Sequence, residues 1–168
     1  MKKIFTVSII LVLLISLTAC GGNKHPDTVG YRIYDDFVEI VKEDSSITTE
    51  ALAEKLAANE NVPMECGFMA VEPGYLNGFD EGVDGFKSGA VFSPYIGTIP
   101  YVGYVFEVEG DIDAFVEQLK SKANLNWNIC TQADEIVCET YKDRVFFVMA
   151  PLSFDDEGSS DSNNNDSE

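Results

Sequence analysis

A change of hydrophobic period between residues 102 and 119 constrains the fold of this chain more than any other feature. Apolar residues first recur at every second position, which predicts a strand with one buried face: Val102, Tyr104, Phe106 and Val108. Asp111 then offers a helix N-cap, and the apolar residues that follow have helical spacing: Ile112, Phe115, Val116 and Leu119. The segment therefore predicts a sheet with a helix packed on it.

The carboxyl-terminal part of the chain predicts an antiparallel meander. Three short strand patterns, at residues 127–131, 136–141 and 144–150, are separated by polar turns at residues 132–135 and 142–143. The last pattern contains Val-Phe-Phe-Val-Met, which is apolar at every position. We therefore expect a central strand there, covered by a helix on one side.

Two further helices and a strand are predicted before this region. Apolar residues at helical spacing over residues 30–43 predict an amphipathic helix. A second helix, capped by Thr48 or Thr49, extends to about Ala58, and a strand pattern follows at residues 64–71. The predicted fold class is α+β, with an antiparallel sheet of about four to five strands and two to three helices packed on it.

The amino terminus has the order of residues found in an export signal. Lys2 and Lys3 precede an apolar run over residues 4–17, which is shorter than the roughly 20 residues that a membrane span needs. The sequence Leu-Thr-Ala-Cys-Gly that follows resembles the bacterial lipobox, whose cysteine receives a diacylglyceryl group and begins the mature chain. That resemblance implies a signal peptide at residues 1–19 and a lipid on Cys20. An ordinary signal peptide with a chance cysteine is the alternative.

Charge limits the partners of the mature chain. The formal net charge of the full sequence is −18 at pH 7, and it is −20 without the two lysines of the predicted signal peptide. Such an acidic surface repels phosphate backbones and anionic lipid. We therefore exclude nucleic acid as a partner. The lipid bilayer is expected to be contacted only through the diacylglyceryl group on Cys20, at the outer (extracytoplasmic) face of the cell membrane.

The folded part is expected to be a single α+β domain at residues 28–154. Residues 155–168 contain only Asp, Glu, Gly, Ser and Asn, so they predict a disordered acidic tail without apolar surface to bury. Residues 20–27 are similarly polar and predict a flexible tether.

Three segments of the domain are similar to those of a known family. The sequences Ile-Pro-Tyr-Val-Gly-Tyr-Val-Phe, Trp-Asn-Ile-Cys-Thr and Val-Phe-Phe-Val-Met begin at Ile99, Trp127 and Val145. Together they resemble small lipoproteins of anaerobic low-GC Gram-positive bacteria, over about residues 62–152. That family has no assigned function, so the resemblance supports the location and implies no catalytic residue.

Few residues in the domain suggest catalysis. The single histidine, His25, lies in the predicted tether, so neither a Ser-His-Asp triad nor a zinc set that includes histidine can form in the domain. Acidic clusters around Asp80 and Glu107 carry the oxygen ligands that calcium uses, but neither has the EF-hand spacing, and solvent exposure explains both. We expect no enzyme activity, no cofactor and no metal.

Cys130 and Cys138 flank the first predicted meander turn. A three-residue loop would place them directly opposite each other, close enough for a disulfide, whereas a four-residue loop would offset them. The spacing is therefore compatible with a disulfide and with two free thiols. Cys66 is interpreted as a core residue, because no base nearby in the sequence would lower the pKa of its thiol.

Residues 73–100 combine six glycines with five aromatic residues and are too interrupted to predict long elements. Irregular segments of this length are uncommon in compact domains and are often functional. We therefore predict a contact surface for an envelope protein or a small ligand, formed by Tyr75, Phe79, Phe86, Tyr95 and Tyr101. The alternative is that these rings complete the hydrophobic core. A thiol-disulfide protein using Cys130 and Cys138 is the alternative function.

Overall fold

The computed structural model describes residues 25–154. The predicted signal peptide, Cys20 and the predicted acidic tail lie outside the described residues. Within them the chain forms three helices and five strands, in the order α1 (Val29–Glu43), α2 (Thr49–Ala57), β1 (Cys66–Val71), β2 (Phe86–Pro94), β3 (Val102–Val108), α3 (Ile112–Lys122), β4 (Glu135–Tyr141) and β5 (Arg144–Ala150). The α+β prediction is confirmed.

The five strands form one sheet in the order β1-β2-β3-β5-β4, and every neighbouring pair is antiparallel. The last strand in the sequence, β5, is inserted between β3 and β4. The two edges of the sheet are therefore β1, which pairs only with β2, and β4, which pairs only with β5.

Helices α2 and α3 begin where the sequence places their caps. The side chain of Thr48 accepts a hydrogen bond from the Ala51 N–H at 3.2 Å, and Asp111 accepts one from the Ala114 N–H at 3.1 Å. Helix α1 buries Tyr34, Phe37 and Val41 of the apolar stripe that predicted it, and Val38 of that stripe is half-buried.

Helical elements cover both faces of the sheet. On one face α1 packs over β4 and β5 and α2 packs over β1 and β2, around a core that includes Phe37, Leu52, Phe92 and Phe146. On the other face α3 and the loop after β1 enclose a second core that includes Phe79, Tyr104, Phe106 and Phe147. All seven residues of β5 are buried, so the internal strand was predicted correctly, but helices cover it on two sides instead of one.

Two strand predictions were wrong. Residues 127–131 form no strand, because their side chains bind a neighbouring loop: the Asn128 amide donates to the Gly97 carbonyl at 2.8 Å and the Thr131 hydroxyl to the Thr98 carbonyl at 3.0 Å. Residues 73–100, predicted to be too interrupted for long elements, contain the nine-residue strand β2. Strand β1 begins at Cys66, two positions later than predicted.

The end of the predicted tether lies against the domain. The His25 ring stacks on the Tyr31 ring with centroids 4.5 Å apart, and Asp27 pairs with Arg32 at 3.1 Å. The packed part of the chain therefore begins before residue 28. Among the helices that the structure describes, none has the length and apolar character needed to cross a membrane.

Candidate binding surface

The structure separates the five rings that the sequence proposed as a contact surface. Phe79, Phe86 and Tyr101 are only 3%, 7% and 2% exposed, so they belong to the core and their assignment to a contact surface was wrong. Phe79 packs on Phe147 and Phe86 on Phe106, each with ring centroids 4.9 Å apart. For these three residues the alternative, in which the rings complete the hydrophobic core, is correct.

The other two rings, Tyr75 and Tyr95, are 77% and 74% exposed. Tyr75 lies on the loop after β1. Tyr95 follows β2, and its N–H donates to the Glu65 carbonyl at 3.2 Å, which places it beside the start of β1. Its ring covers Gly67, where an added Cβ would come within 2.7 Å of the ring. Tyr95 is therefore part of a surface centred on β1.

This β1 surface consists of four exposed apolar side chains: Phe68, Met69, Tyr95 and Ile96. Phe68 and Met69 lie in the middle of β1, a strand without charged residues. Their side chains are 44% and 64% exposed although both are apolar. Sequence reasoning missed both residues. The available signal was the sequence Cys-Gly-Phe-Met-Ala-Val, which has six consecutive residues without charge between Glu65 and Glu72.

Two open cavities lie on the side of β1 that faces α2, one near each end of the helix. The first cavity, about 670 Å³, lies at the carboxyl end of α2, and its lining includes Ala57, Val62, Met64, Cys66, Phe68 and Tyr95. The second, about 640 Å³, lies at the amino end of α2, and its lining includes Thr48, Thr49, Ala70, Val71, Ser88 and Arg144. We call these two cavities together the β1–α2 groove.

The groove is acidic. Glu54 and Glu65 line the first cavity, without a basic residue. The second cavity carries four acidic side chains and two basic ones: Glu50, Glu72, Glu107, Asp143, Lys87 and Arg144.

Both basic side chains have partners within the domain. Lys87 is bound to Glu107 at 2.7 Å, and this hydrogen bond holds the pKa of the Glu107 carboxyl below its usual value. The buried Arg144 donates from Nη2 to the Ile47 carbonyl at 2.6 Å. The remaining carboxylates give the groove a negative potential that favours positively charged partners.

The three cysteines of the described residues are free thiols, so the disulfide considered between Cys130 and Cys138 is not formed. The strand that would have placed Cys130 opposite Cys138 is absent, and Cys130 is exposed whereas Cys138 is buried. Burial raises the pKa of the Cys138 thiol to about 12 and that of Cys66 to about 11. Because the thiolate is the reactive form, both are poor nucleophiles near neutral pH.

The acidic clusters that the sequence offered as calcium sites have structural partners. The Asp80 carboxylate accepts from the Asn124 amide at 2.7 Å, Glu107 binds Lys87, and Asp111 caps α3. Across residues 25–154, no three His, Cys, Asp or Glu side chains converge in a way that could hold a metal ion.

Comparisons of this chain with protein-family models, with curated proteins and with solved structures gave no match.

Proposed function

We propose that this chain is a non-catalytic binding lipoprotein, anchored by lipid on Cys20 at the extracytoplasmic face of the cell membrane, and that it binds a partner protein through the β1 surface. The export signal and the lipobox-like sequence support the address. The raised thiol pKa values of Cys66 and Cys138 and the packing of His25 on Tyr31 support a role without catalysis.

The observation that carries the proposal is the exposure of apolar side chains at an uncovered strand. Single exposed apolar residues are ordinary, but a connected group on a regular element is a common mark of a contact site. Phe68 and Tyr95 line the same cavity, and the Tyr95 ring covers the residue that precedes Phe68. The β1 surface therefore exposes apolar side chains on both faces of a rigid strand, with Phe68 on one face and Met69 on the other.

The test is photocrosslinking in the membrane of the native host. A photoreactive residue replaces Met69 in the full-length chain, and a matched chain carries it in place of Glu117, which is exposed on α3. We expect a discrete protein adduct from position 69 and none from position 117, because only the first lies in the proposed contact surface.

Two results would contradict the proposal. Equal labelling from both positions, or none from position 69, would remove the β1 surface as a contact site. If a Cys20→Ala chain stayed in the membrane fraction and still gave the adduct, lipid on Cys20 would not be the anchor. We expect that variant to leave the membrane and to lose the adduct, since a diacylglyceryl group supplies the two acyl chains needed for stable anchoring.

A further inference from the structure

The backbone of β1 has a free hydrogen-bonding edge. The Tyr95 N–H bonds to the Glu65 carbonyl, and Cys66 is paired with Pro94, which has no N–H to give. Hydrogen-bonded and non-bonded pairs alternate along an antiparallel ladder. Glu65, Gly67, Met69 and Val71 therefore direct their backbone groups toward β2, whereas three alternate residues direct theirs away from the sheet: Cys66, Phe68 and Ala70.

Nothing in residues 25–154 pairs with these outward backbone groups: they have no hydrogen bond to another strand, to a loop or to a side chain. Natural sheets protect such edges with charged residues, proline or bulges, because an uncovered edge is a template for another strand. Strand β1 has no charged residue and no proline, and its pairing with β2 is regular. It therefore offers three N–H and three C=O groups to an incoming strand.

The two cavities of the β1–α2 groove lie beside this edge and could take side chains of an added strand. A strand advances about 3.4 Å per residue, so a segment of about six residues would follow the whole of β1. Alternate side chains of that segment would point toward α2. The first cavity lies beside Cys66 and Phe68 and the second beside Ala70 and Glu72, so side chains at both ends of the segment would meet a cavity.

Charge distinguishes between the strands that could add to this edge. Exposed Glu65 and Glu72 flank β1 immediately on either side. A second copy of this chain, paired antiparallel with Phe68 opposite Phe68, would place Glu65 opposite Val71 and beside Glu72 of the other copy. Like charges would then lie close together at both ends of the paired strands and repel each other. A segment with basic residues at its two ends would instead pair each carboxylate with a positive charge.

We propose that β1 binds an extended, basic segment of the partner protein as a sixth strand, with its side chains in the β1–α2 groove. This inference rests on the proposed function and adds the mode of binding and the chemistry of the partner. Main-chain hydrogen bonds supply affinity in this mode, and the pockets for alternate side chains supply specificity.

The test uses the full-length chain in detergent micelles and an eight-residue probe peptide with four central apolar residues and two lysines at each end. Fluorescence anisotropy measures the dissociation constant. We expect the peptide to bind, and its glutamate-ended counterpart to bind at least tenfold more weakly. Binding of the lysine peptide should also weaken about tenfold between 25 and 200 mM NaCl, since salt screens exposed charges.

Charge reversal is the matched variant. The double substitution Glu65→Lys and Glu72→Lys should reverse the preference, so that the glutamate-ended peptide binds better than the lysine-ended one. An unchanged preference would overturn the assignment of these two carboxylates.

Hydrogen exchange then tests the backbone contact directly. In the free protein the amides of Phe68 and Ala70 should exchange quickly, whereas those of Gly67 and Met69, bonded to β2, should be protected. The lysine peptide should protect the first pair. A peptide with N-methyl groups on alternate residues, which lacks the donors for one edge, should bind at least tenfold more weakly and protect neither.

The possible failures can be told apart. Binding without protection of Phe68 and Ala70 would overturn strand addition, as would the absence of peptide binding. Protection that rises with protein concentration alone would identify a second copy as the occupant and overturn the basic partner. If these results occurred while position 69 still gave its specific adduct in membranes, the proposed function would stand and only the mode of binding would fail.

Discussion

Gly103 of β3 shows how one residue fixes the packing on the face of the sheet that α1 and α2 cover. It lies opposite Phe92 of β2, and the ring of Phe92 occupies the space in which a side chain at position 103 would lie. Phe92 is fully buried and packs near Tyr101 and Phe146, with centroids 6.2 and 6.4 Å away. The glycine is required by its neighbour on the adjacent strand.

Substitution of Gly103 by alanine should therefore lower the free energy of unfolding by about 1–3 kcal/mol, the usual cost of overpacking a filled core. Urea unfolding followed by circular dichroism measures it. Gly97→Ala is the matched control, because an added Cβ there meets nothing within 4 Å, and we expect it to change stability by less than about 0.5 kcal/mol. Equal midpoints for the two variants would contradict this account of Gly103.

The fate of individual aromatic residues was the least predictable property of the chain. Tyr75 and Phe79 are four positions apart in one loop, yet the first is exposed and the second is in the core. What separates them is the path of the loop: the Phe79 ring packs on Phe147, which comes from the last strand of the sheet. Local sequence carries no information about a contact with a residue so distant in the chain.

At the scale of elements, α1 is held at its amino end by a side chain from β4. Thr28, the N-cap residue, makes no side-chain capping bond of its own. Instead the Glu135 carboxylate accepts the Gly30 N–H at 2.9 Å and the Thr28 hydroxyl at 2.8 Å. A Cβ at Gly30 would come within 2.7 Å of that carboxylate, so the glycine permits its close approach. A negative charge at this position also suits the positive end of the helix dipole.

We expect Glu135→Ala to lower the free energy of unfolding by about 1–2 kcal/mol, the usual effect of losing a helix cap. Glu135→Gln should lower the free energy of unfolding by less, because the amide oxygen still accepts a hydrogen bond. The loss of the negative charge accounts for the effect that remains. Thermal and urea unfolding measure both variants against Glu117→Ala, which removes an exposed carboxylate from α3. If Glu135→Ala were as stable as that control, Glu135 would not serve as the cap of α1.

Elements whose signal is local were predicted well, and elements decided by their partners were not. The helices follow from apolar spacing and from caps such as Thr48 and Asp111, all contained in short segments. Strand β2 escaped prediction because Gly89 interrupts its pattern, although that glycine lies where Phe106 and Phe86 fill the space. The groove could not be predicted either, since it depends on where α2 lies across β1.

The molecule as a whole buries ionisable groups that are neutral at pH 7. Desolvation raises the pKa of Cys66 to about 11 and that of Cys138 to about 12, and it also raises the pKa values of Tyr101 and Tyr104. In the unfolded chain the thiols lose their protons near pH 8.5 and the phenols near pH 10. Above those values the unfolded state binds fewer protons than the folded state, so stability falls as pH rises.

We therefore expect these groups to leave the free energy of unfolding unchanged below about pH 8. At higher pH they should lower it progressively, as the pH rises toward their folded-state pKa values. The measurement is the free energy of unfolding in urea between pH 7.5 and 10, with a reductant present. A Cys138→Ala chain should show a shallower decline between pH 8.5 and 9.5, because one buried thiol no longer titrates. A slope identical to that of the parent chain would show that Cys138 does not contribute.

The position of β5 determines when this sheet can be completed. Strand β4 has no neighbour except β5, and β5 is the last strand of the described chain. If the protein is exported amino end first, as the proposed location requires, β1, β2 and β3 can pair as they emerge. The strand that joins them to β4, and that both cores require, emerges afterwards. The emerging chain would therefore hold β4 apart from the other strands until β5 has crossed, and its two cores would close last.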